Sequence, residues 1–222
     1  FISAASLPFL GKNALGRAFD DEAGPEVRRV GLFALDRVLT AAMPPFPGAT
    51  PWGRALSRER LDLLLAEAAA RAGAELWQPW KVSEIRRTAS GFVCTVAAKA
   101  ATRELGARMV LAANGSTQPG PWRETEKTRG SADLLAFKAH FTGAALAPDL
   151  MPLVSFPGGY GGMAHADGGR VSLSCCIRRD QLARLRAGDP GQAGDAVLAH
   201  ILDSCRGVRM ALDSATRDGA WL

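Results

Sequence analysis

The chain has 222 residues, of which 47% are hydrophobic and 22% are charged. This balance is typical of folded globular proteins and excludes an intrinsically disordered chain, and the length suits one large domain or two small ones. No apolar run approaches the roughly 18 residues of a membrane helix, so we expect no integral membrane segment. The net charge of +5 is mild and the arginines are scattered, which argues against nucleic acid as a partner.

The start of the chain predicts a helical segment, a turn, a strand and a loop. Residues 1–17 have loosely helical apolar spacing, and the polar residues 20–25 predict a turn. The alternation over residues 27–35 predicts a strand. Residues 41–52 carry several prolines and glycines and must form a loop.

The clearest helix begins after Ser57 and ends before Gly73. Ser57 is a good N-cap, and Glu59 lies in the first turn, where the helix dipole favours a carboxylate. Gly73 can take the left-handed conformation that ends a helix. The leucines and alanines between them fall on one stripe, which predicts one buried face.

Strand signals follow this helix. Residues 75–85 predict a strand interrupted at Pro79, and residues 92–96 alternate as its return strand. Residues 109–113 are continuously apolar and end abruptly at Asn114. Such a run is typical of a strand buried on both faces of a parallel sheet.

The second half of the chain predicts an antiparallel sheet followed by helices. Four short runs separated by glycine, proline and aspartate have the spacing of an antiparallel meander; they cover residues 135–141, 151–156, 160–165 and 170–177. Residues 180–186 and 195–205 have helical spacing. The predicted fold class is therefore α/β, or α+β overall, with the antiparallel sheet in the second half.

The cysteines indicate a reducing compartment. They show no C-x-x-C spacing, and there are too few of them in this length for a disulfide scaffold. We expect free, buried thiols in a cytoplasmic protein, and no metal site. The four are Cys94, Cys175, Cys176 and Cys205.

Two polar elements are candidates for ligand contacts. Asn114, Gly115 and Ser116 follow the predicted buried strand, and in open α/β sheets ligands bind beyond the carboxyl ends of strands. The alternative is a plain turn, because Asn-Gly is common in turns. Arg58 follows Ser57 at a predicted helix N-terminus, where backbone N–H groups favour a phosphate. The alternative is a solvated surface arginine.

The run F-P-G-G-Y-G-G at residues 156–162 is unusual for a strand, because each glycine weakens it. Such glycines indicate the close approach of a flat ligand or of another backbone, and Tyr160 would project its hydroxyl beside them. The alternative is a glycine-rich hairpin with a surface tyrosine. His140 is a candidate acid–base group, with a satisfied structural histidine as the alternative.

The order of these motifs resembles a known family. S-R-E-R-L-D-x-L-L opens a helix ending in R-A-G-A, and a W-x-V strand, M-V-L-A-A-N-G-S and F-P-G-G-Y-G-G follow. Over about residues 1–186 the chain resembles the FAD-dependent oxidoreductases of the p-hydroxybenzoate hydroxylase superfamily, in particular their geranylgeranyl reductase-like branch. The resemblance implies part of a Rossmann-like FAD-binding domain and an antiparallel substrate-binding sheet.

The resemblance also implies cofactor-binding residues. Arg58 matches the helix position that contacts the diphosphate or ribityl region of FAD. Val82 matches a strand residue whose backbone lies by the adenine. Asn114 and Gly115 match the family's Asp-Gly motif, which borders FAD and the path of the nicotinamide donor.

The glycine run matches the sheet segment that faces the isoalloxazine ring and the substrate cavity in the family. The resemblance therefore implies a set of substrate-binding residues on this sheet. They are Phe156, Gly158, Gly159 and Tyr160, together with His140 on the neighbouring predicted strand.

The sequence departs from the family at three places. Asn114 replaces the family's aspartate and removes a charge. The chain contains neither the G-x-G-x-x-G of the family's opening βαβ unit nor the later Gly-Asp motif. We interpret it as a central portion of such a protein, and a chain without the diphosphate cradle should hold FAD poorly.

The predicted function is a FAD-dependent oxidoreductase, either a monooxygenase or a reductase of an apolar or aromatic small molecule, with NADH or NADPH as electron donor. The alternative is a non-catalytic binding module that keeps the substrate sheet without binding flavin. The expected domains are a partial FAD-binding domain (50–130), a substrate-binding sheet (26–47 and 131–192), a C-terminal helix and tail (193–222) and an N-terminal helical segment (1–25).

Overall fold

The computed structural model of the chain describes residues 1–12, 15–44, 47, 52–115, 130–187 and 191–222. The chain divides into two compact units, unit 1 (Phe1–Ala72 with Arg129–Leu222) and unit 2 (Gly73–Thr128). The helices of unit 1 are α1 (Leu7–Lys12), α2 (Gly16–Glu22), α3 (Arg58–Arg71), α4 (Arg179–Leu185), α5 (Ala193–Ser204) and α6 (Arg206–Leu212). None of the helices in the described ranges is both long and apolar enough to cross a membrane.

The strands of the two units form separate sheets. Those of unit 1 are β1 (Arg29–Ala34), β2 (Arg37–Ala42), β6 (Leu134–Thr142), β7 (Leu150–Phe156), β8 (Gly159–His165), β9 (Val171–Arg178) and β10 (Thr216–Asp218). Those of unit 2 are β3 (Lys81–Thr88), β4 (Gly91–Ala98) and β5 (Ala101–Ala107).

The sheet of unit 1 has the strand order β10-β6-β9-β8-β7-β1-β2. The predicted antiparallel meander is confirmed for β7, β8 and β9, whereas β6 pairs in antiparallel with β9 instead of with β7. The sheet is nevertheless mixed rather than antiparallel throughout, because β1 pairs with β7 in parallel. A parallel pair needs a long connection between its strands. The chain from β2 to β6 provides it, and no local pattern in the sequence reveals this direction.

The two faces of this sheet have different surroundings. One face buries its side chains against α4, α5 and α6 and forms the main core of unit 1. Strand β9 shows the alternation: its core-facing side chains are Val171, Leu173, Cys175 and Ile177. The other face, called here the open face, carries the residues between them. The helices predicted at 180–186 and 195–205 are α4 and α5, whereas α6 and β10 are not predicted.

Helix α2 replaces the turn predicted at residues 20–25. Phe19 is buried with Leu15 in a second, smaller core, which holds the helix in place. Arg54 donates hydrogen bonds to the backbone oxygens of Asp20 and Ala23 at 3.1 and 2.6 Å. Because these oxygens at the helix end need donors, a distant arginine completes a helix that the local sequence does not predict.

Helix α3 has the ends that the sequence predicts. The Ser57 hydroxyl oxygen accepts a hydrogen bond from the backbone N–H of Arg60 at 3.4 Å. Gly73, just beyond the helix, has a φ of 95°. Leu61 and Leu64 are buried in the smaller core, as the apolar stripe indicates.

Unit 2 is an antiparallel sheet in the order β3-β4-β5. The return strand predicted at 92–96 is β4, whereas β3 begins at Lys81, later than the predicted residue 75, and β5 is not predicted. The segment 50–130, predicted as one domain, contributes α3 to unit 1 and these strands to unit 2. Helix α3 belongs to unit 1 because its buried leucines pack with α2.

The prediction of a buried strand at residues 109–113 is wrong. These residues form no strand, and Met109 and Leu111 are 73% and 85% exposed. A strand buried on both faces needs parallel neighbours. Among the described residues, no strand pairs with this segment. An apolar run by itself does not show whether such neighbours exist.

Candidate functional site

The open face of the unit 1 sheet carries one row of residues from five neighbouring strands. Leu32 lies beside Leu153, Leu153 beside Gly162, and Gly162 beside Ser174. Lys138 on β6 lies beside Ser174 and ends the row. Facing residues on neighbouring strands have Cβ atoms about 4.5–5.5 Å apart. The row therefore changes from apolar to polar within a short distance, with no side chain at Gly162 between the two parts.

A cavity of about 240 Å³ lies over this row. Its polar lining is formed by Lys138, Ser172 and Ser174. The rest of its lining is apolar: Phe1, Ala55, Leu56, Met151, Leu153, Gly162, Met163, Ala164 and Ala166. A mainly apolar cavity with a few convergent polar groups is the usual form of a small-molecule site, so we take this cavity as the candidate site.

Lys138 is the one charged side chain among the lining residues of the cavity. In the described part of the chain, its ammonium group has neither a hydrogen bond nor an ion pair. Burial lowers the pKa of Lys138; the nearby Asp167 carboxylate opposes this shift, and the Arg170 guanidinium adds to it. The cavity therefore contains a partly buried amine without a direct partner.

His140 is joined to the cavity through Ser172. It lies two residues after Lys138 and so on the same face of β6. Its Nδ1 atom is 2.8 Å from the Ser172 hydroxyl oxygen. Burial lowers the pKa of His140, and the positive charges of Lys138 and Arg170 lower it further, so the imidazole is neutral at pH 7. A neutral imidazole can donate to or accept from this hydroxyl, which leaves Ser172 able to adapt to a ligand.

Asp167 fixes the wall of the cavity. This buried carboxylate accepts a hydrogen bond from the backbone N–H of Ser57 at 2.7 Å and pairs with Arg170. Burial alone would raise the pKa of Asp167, but the hydrogen bonds from Ser57 and Arg170 outweigh it and lower the pKa. Because Ala55 and Leu56 directly precede Ser57, this bond holds both wall residues over the sheet.

The turn between β7 and β8 accounts for two of the glycines in the run. Gly158 has a φ of 76°, and a Cβ atom there would lie 2.7 Å from Cγ of Gln181. A Cβ atom at Gly159 would overlap the ring of Phe156 and the backbone oxygen of Cys176. Packing within the chain therefore requires both glycines, without reference to a ligand.

The two glycines inside β8 face opposite sides of the sheet. A Cβ atom at Gly161 would overlap the backbone oxygen of Ser174 and lie 2.8 Å from Cβ of Cys175. A Cβ atom at Gly162 would meet only the backbone oxygen of Pro152, at 3.3 Å. The close approach of another backbone thus explains Gly161, whereas Gly162 lies in the cavity lining and leaves room for a ligand.

The structure places the two aromatic residues of the run on different sides. Phe156 is buried in the main core, and its ring centroid is 5.9 Å from that of His200 on α5. Tyr160 is 57% exposed and lies beside Ser155 and Cys176 on the open face. Tyr160 therefore shares a face with the cavity, whereas the side chain of Phe156 does not.

Arg58, the predicted diphosphate contact in unit 1, is a surface residue at the start of α3. Its guanidinium group is 77% exposed and lies 2.8 Å from the Asp62 carboxylate one turn later. An exposed pair of this kind contributes little to stability. An anionic ligand can therefore take the place of Asp62.

The other predicted cofactor-binding residues lie in unit 2. Val82 is on β3, opposite Val96 on β4, and is 47% exposed. Asn114 and Gly115 follow the exposed apolar segment; Gly115 has a φ of 75° and no atom within 4 Å of a Cβ position. Ser116 is outside the described residues. Val82, Asn114 and Gly115 are all exposed within unit 2.

Sequence reasoning misses the polar lining of the cavity. Lys138, Ser172 and Ser174 stand at alternate positions of strands that were predicted correctly, and each lies between two apolar residues of the core-facing side. Where polar and apolar residues alternate along a strand, the polar ones mark the side that faces water or a ligand. This alternation is visible in the sequence, but which residue of β9 lies beside Lys138 depends on the register of the two strands.

Comparison with known proteins relates this architecture to flavin enzymes. No protein-family model matches the sequence, and no curated protein matches it. The myxobacterial chondrochloren halogenase CndH, a FAD-dependent halogenase, matches with a TM-score of 0.75 and 15% identity, over 100% of this chain and 53% of its own. The flavin-dependent brominase Bmp2, as a triple mutant, matches with a TM-score of 0.78 and 13% identity, over 100% and 56%.

A reductase-like protein has the same architecture. The geranylgeranyl bacteriochlorophyll reductase-like protein from Thermoplasma acidophilum matches with a TM-score of 0.70 and 15% identity, over 96% of this chain and 53% of its own. The chain thus spans about half the length of these structures. At such low identity, the likeness shows the fold. The predicted fold class and the family resemblance are confirmed at this level: the chain has the fold of FAD-dependent oxidoreductases.

Proposed function

We propose that the chain acts as part of a FAD-dependent oxidoreductase and that the cavity over its open face binds the substrate, an apolar or aromatic small molecule. The observation that supports this proposal is the occurrence of this cavity on a sheet whose fold is shared with flavin enzymes. The reaction is a monooxygenation or a reduction, with NADH or NADPH as electron donor. Because two of the similar structures are halogenases, product analysis distinguishes these reactions from halogenation.

The residues of the chain would bind and orient the substrate. Leu56, Met151 and Leu153 form apolar walls that exclude water. The hydroxyl groups of Ser172 and Ser174 can donate to or accept from a polar group of the substrate. Bound FAD would supply the redox chemistry, which no side chain can perform alone.

The accessible residues fit FAD in part. Arg58 has the exposed positive charge that a diphosphate needs, and its exposed pair with Asp62 is readily replaced. Gly115 lets a ligand approach its backbone. The sequence has no G-x-G-x-x-G loop to surround the phosphates. We therefore propose that Arg58 of unit 1 supplies only part of what FAD binding needs.

A non-catalytic binding module is the second candidate. The cavity itself favours it, because its lining residues can bind a small molecule whether or not flavin is bound. The two candidates differ in one measurable property, the binding of flavin by the protein.

We also propose that the protein is cytoplasmic, because all four cysteines are free thiols.

The test uses the protein expressed from its complete reading frame. We expect bound FAD, seen as absorbance at roughly 450 nm that disappears when NADH or NADPH reduces it. Arg58→Ala should weaken FAD binding by about tenfold, because it removes a charge-assisted bond to phosphate. Arg71→Ala, at the opposite end of the same helix, is the matched control and should bind FAD normally.

The outcomes separate the two candidates. A protein that stays colourless after addition of FAD, yet binds small molecules in the cavity, would overturn the oxidoreductase and support the binding module. If FAD binds equally to both arginine variants, the assignment of Arg58 is wrong, although the enzyme class stands.

A further inference from the structure

The arrangement of donors in the cavity suits one kind of ligand group. Lys138 and Ser174 are directly opposed on β6 and β9, and both line the cavity, so a ligand there can meet an ammonium and a hydroxyl group from neighbouring strands. Ser172 stands two residues before Ser174 on the same face. An ammonium and a hydroxyl group together can donate to both oxygens of a carboxylate.

Among the described residues, no carboxylate forms an ion pair with the ammonium group of Lys138. The carboxylate that acts on this charge from further away, Asp167, already accepts a hydrogen bond from Ser57 and pairs with Arg170. Arg170 in turn also pairs with Asp218. Burial of an ammonium group without a counter-charge is unfavourable. A ligand that brings a negative charge into the cavity removes this penalty, whereas a cationic ligand would increase it.

The size of the cavity limits the ligand. Its volume is about 240 Å³, and a water molecule occupies about 30 Å³ of liquid. The cavity thus has space for about eight groups of that size. Its apolar lining and the bare backbone at Gly162 favour a compact apolar body.

We propose that the cavity recognises a small apolar carboxylic acid, whose carboxylate is bound by Lys138 and Ser174 and whose apolar part lies over Gly162 and Leu153. This deepens the proposed function, since it names the substrate class of the same site. Lys138 is then the residue that selects acids over neutral analogues.

The test measures binding of two matched probes to the whole protein by titration calorimetry. Cyclohexanecarboxylate carries the charge, and cyclohexanecarboxamide has nearly the same shape without it. We expect the carboxylate to bind at least about tenfold more tightly than the amide. Lys138→Met should abolish this preference, because it weakens binding of the carboxylate far more than binding of the amide, and Lys138→Arg should retain most of it. Lys12→Met, which removes an exposed lysine at the end of α1, should behave like the wild type.

Several results would overturn the proposal. They are equal binding of the two probes to the wild type, failure of both probes to bind, and an unchanged preference in the Lys138→Met variant. Flavin absorbance, recorded on the same samples, reports on the proposed function separately. A yellow protein without acid preference contradicts this inference alone, and a colourless protein with acid preference contradicts only the oxidoreductase.

Discussion

Gly161 and Gly162 are neighbours on β8, and we expect them to respond differently to an added methyl group. In Gly161→Ala, the new Cβ atom lies 2.8 Å from Cβ and 3.0 Å from Cα of Cys175. Carbon atoms pack best at about 3.5–4.0 Å, so the strands must separate by several tenths of an ångström. Hydrogen bonds to β7 and β9 on both sides oppose this movement.

The magnitude follows from two opposing effects. Overpacking of a core costs about 1–3 kcal/mol, and the contact here is with backbone, which cannot rotate away. Replacing glycine by alanine in a strand gains about 0.5–1 kcal/mol of conformational entropy. We expect Gly161→Ala to lower the free energy of unfolding by about 1–2 kcal/mol, which corresponds to a fall in Tm of about 2–8 °C for a chain of this size.

Gly162→Ala is the matched control. Its Cβ atom would lie 3.3 Å from a single backbone oxygen, that of Pro152. We expect its free energy of unfolding to stay within about 1 kcal/mol of the wild type, but its cavity to bind ligands more weakly. Urea unfolding followed by circular dichroism measures both variants. If Gly161→Ala is as stable as the wild type, or if Gly162→Ala is equally damaged, our account of the glycine run is wrong.

Three further predictions concern titratable groups. Asp167→Asn should lower the free energy of unfolding by about 1–3 kcal/mol at neutral pH. Because the fold lowers the pKa of Asp167, the wild type should lose this advantage as the pH falls through that pKa. If the two proteins differ in stability by the same amount in acid, this prediction is wrong. The fold also lowers the pKa of His140, so stability should decline as pH falls below its ordinary value of 6.5, and His140→Gln should flatten that decline in urea unfolding. Burial, with a smaller effect of Cys176, raises the pKa of Cys175 to about 12, so mass spectrometry after iodoacetamide at pH 8 should find Cys175 unmodified in the folded protein and modified after denaturation.

Much of the fold could be predicted because its signals are local. The ends of α3 depend on a capping serine and a left-handed glycine, each acting within one turn. The strands β7, β8 and β9 show apolar alternation bounded by turn residues. The segment 109–113 shows the limit of this reasoning: its apolar run suits a buried strand, but neighbouring strands decide whether such a strand forms, and none pairs with it among the described residues.

The substrate-binding residues that the sequence predicts lie on the sheet that carries the cavity, but only some of their side chains share its open face. Tyr160 and His140 lie on the open face or next to its cavity, whereas Phe156 points into the core, where packing also requires Gly159. The sequence of the glycine run does not show whether a ligand or a neighbouring strand is the close neighbour that requires each glycine. Only the positions of the surrounding atoms distinguish the two.

The sequence by itself determined the elements whose causes lie within a few residues: the capped helix α3, the alternating strands and the free cysteines. The order of its motifs also indicated a resemblance to FAD-dependent oxidoreductases, and the chain shares its fold with solved structures of such enzymes. Only the tertiary structure decided that β1 runs parallel to β7 and that Lys138 faces Ser174 beneath Leu56. Such contacts join residues far apart in the chain, and their formation depends on strand register and on the packing of the whole sheet, which no local pattern encodes.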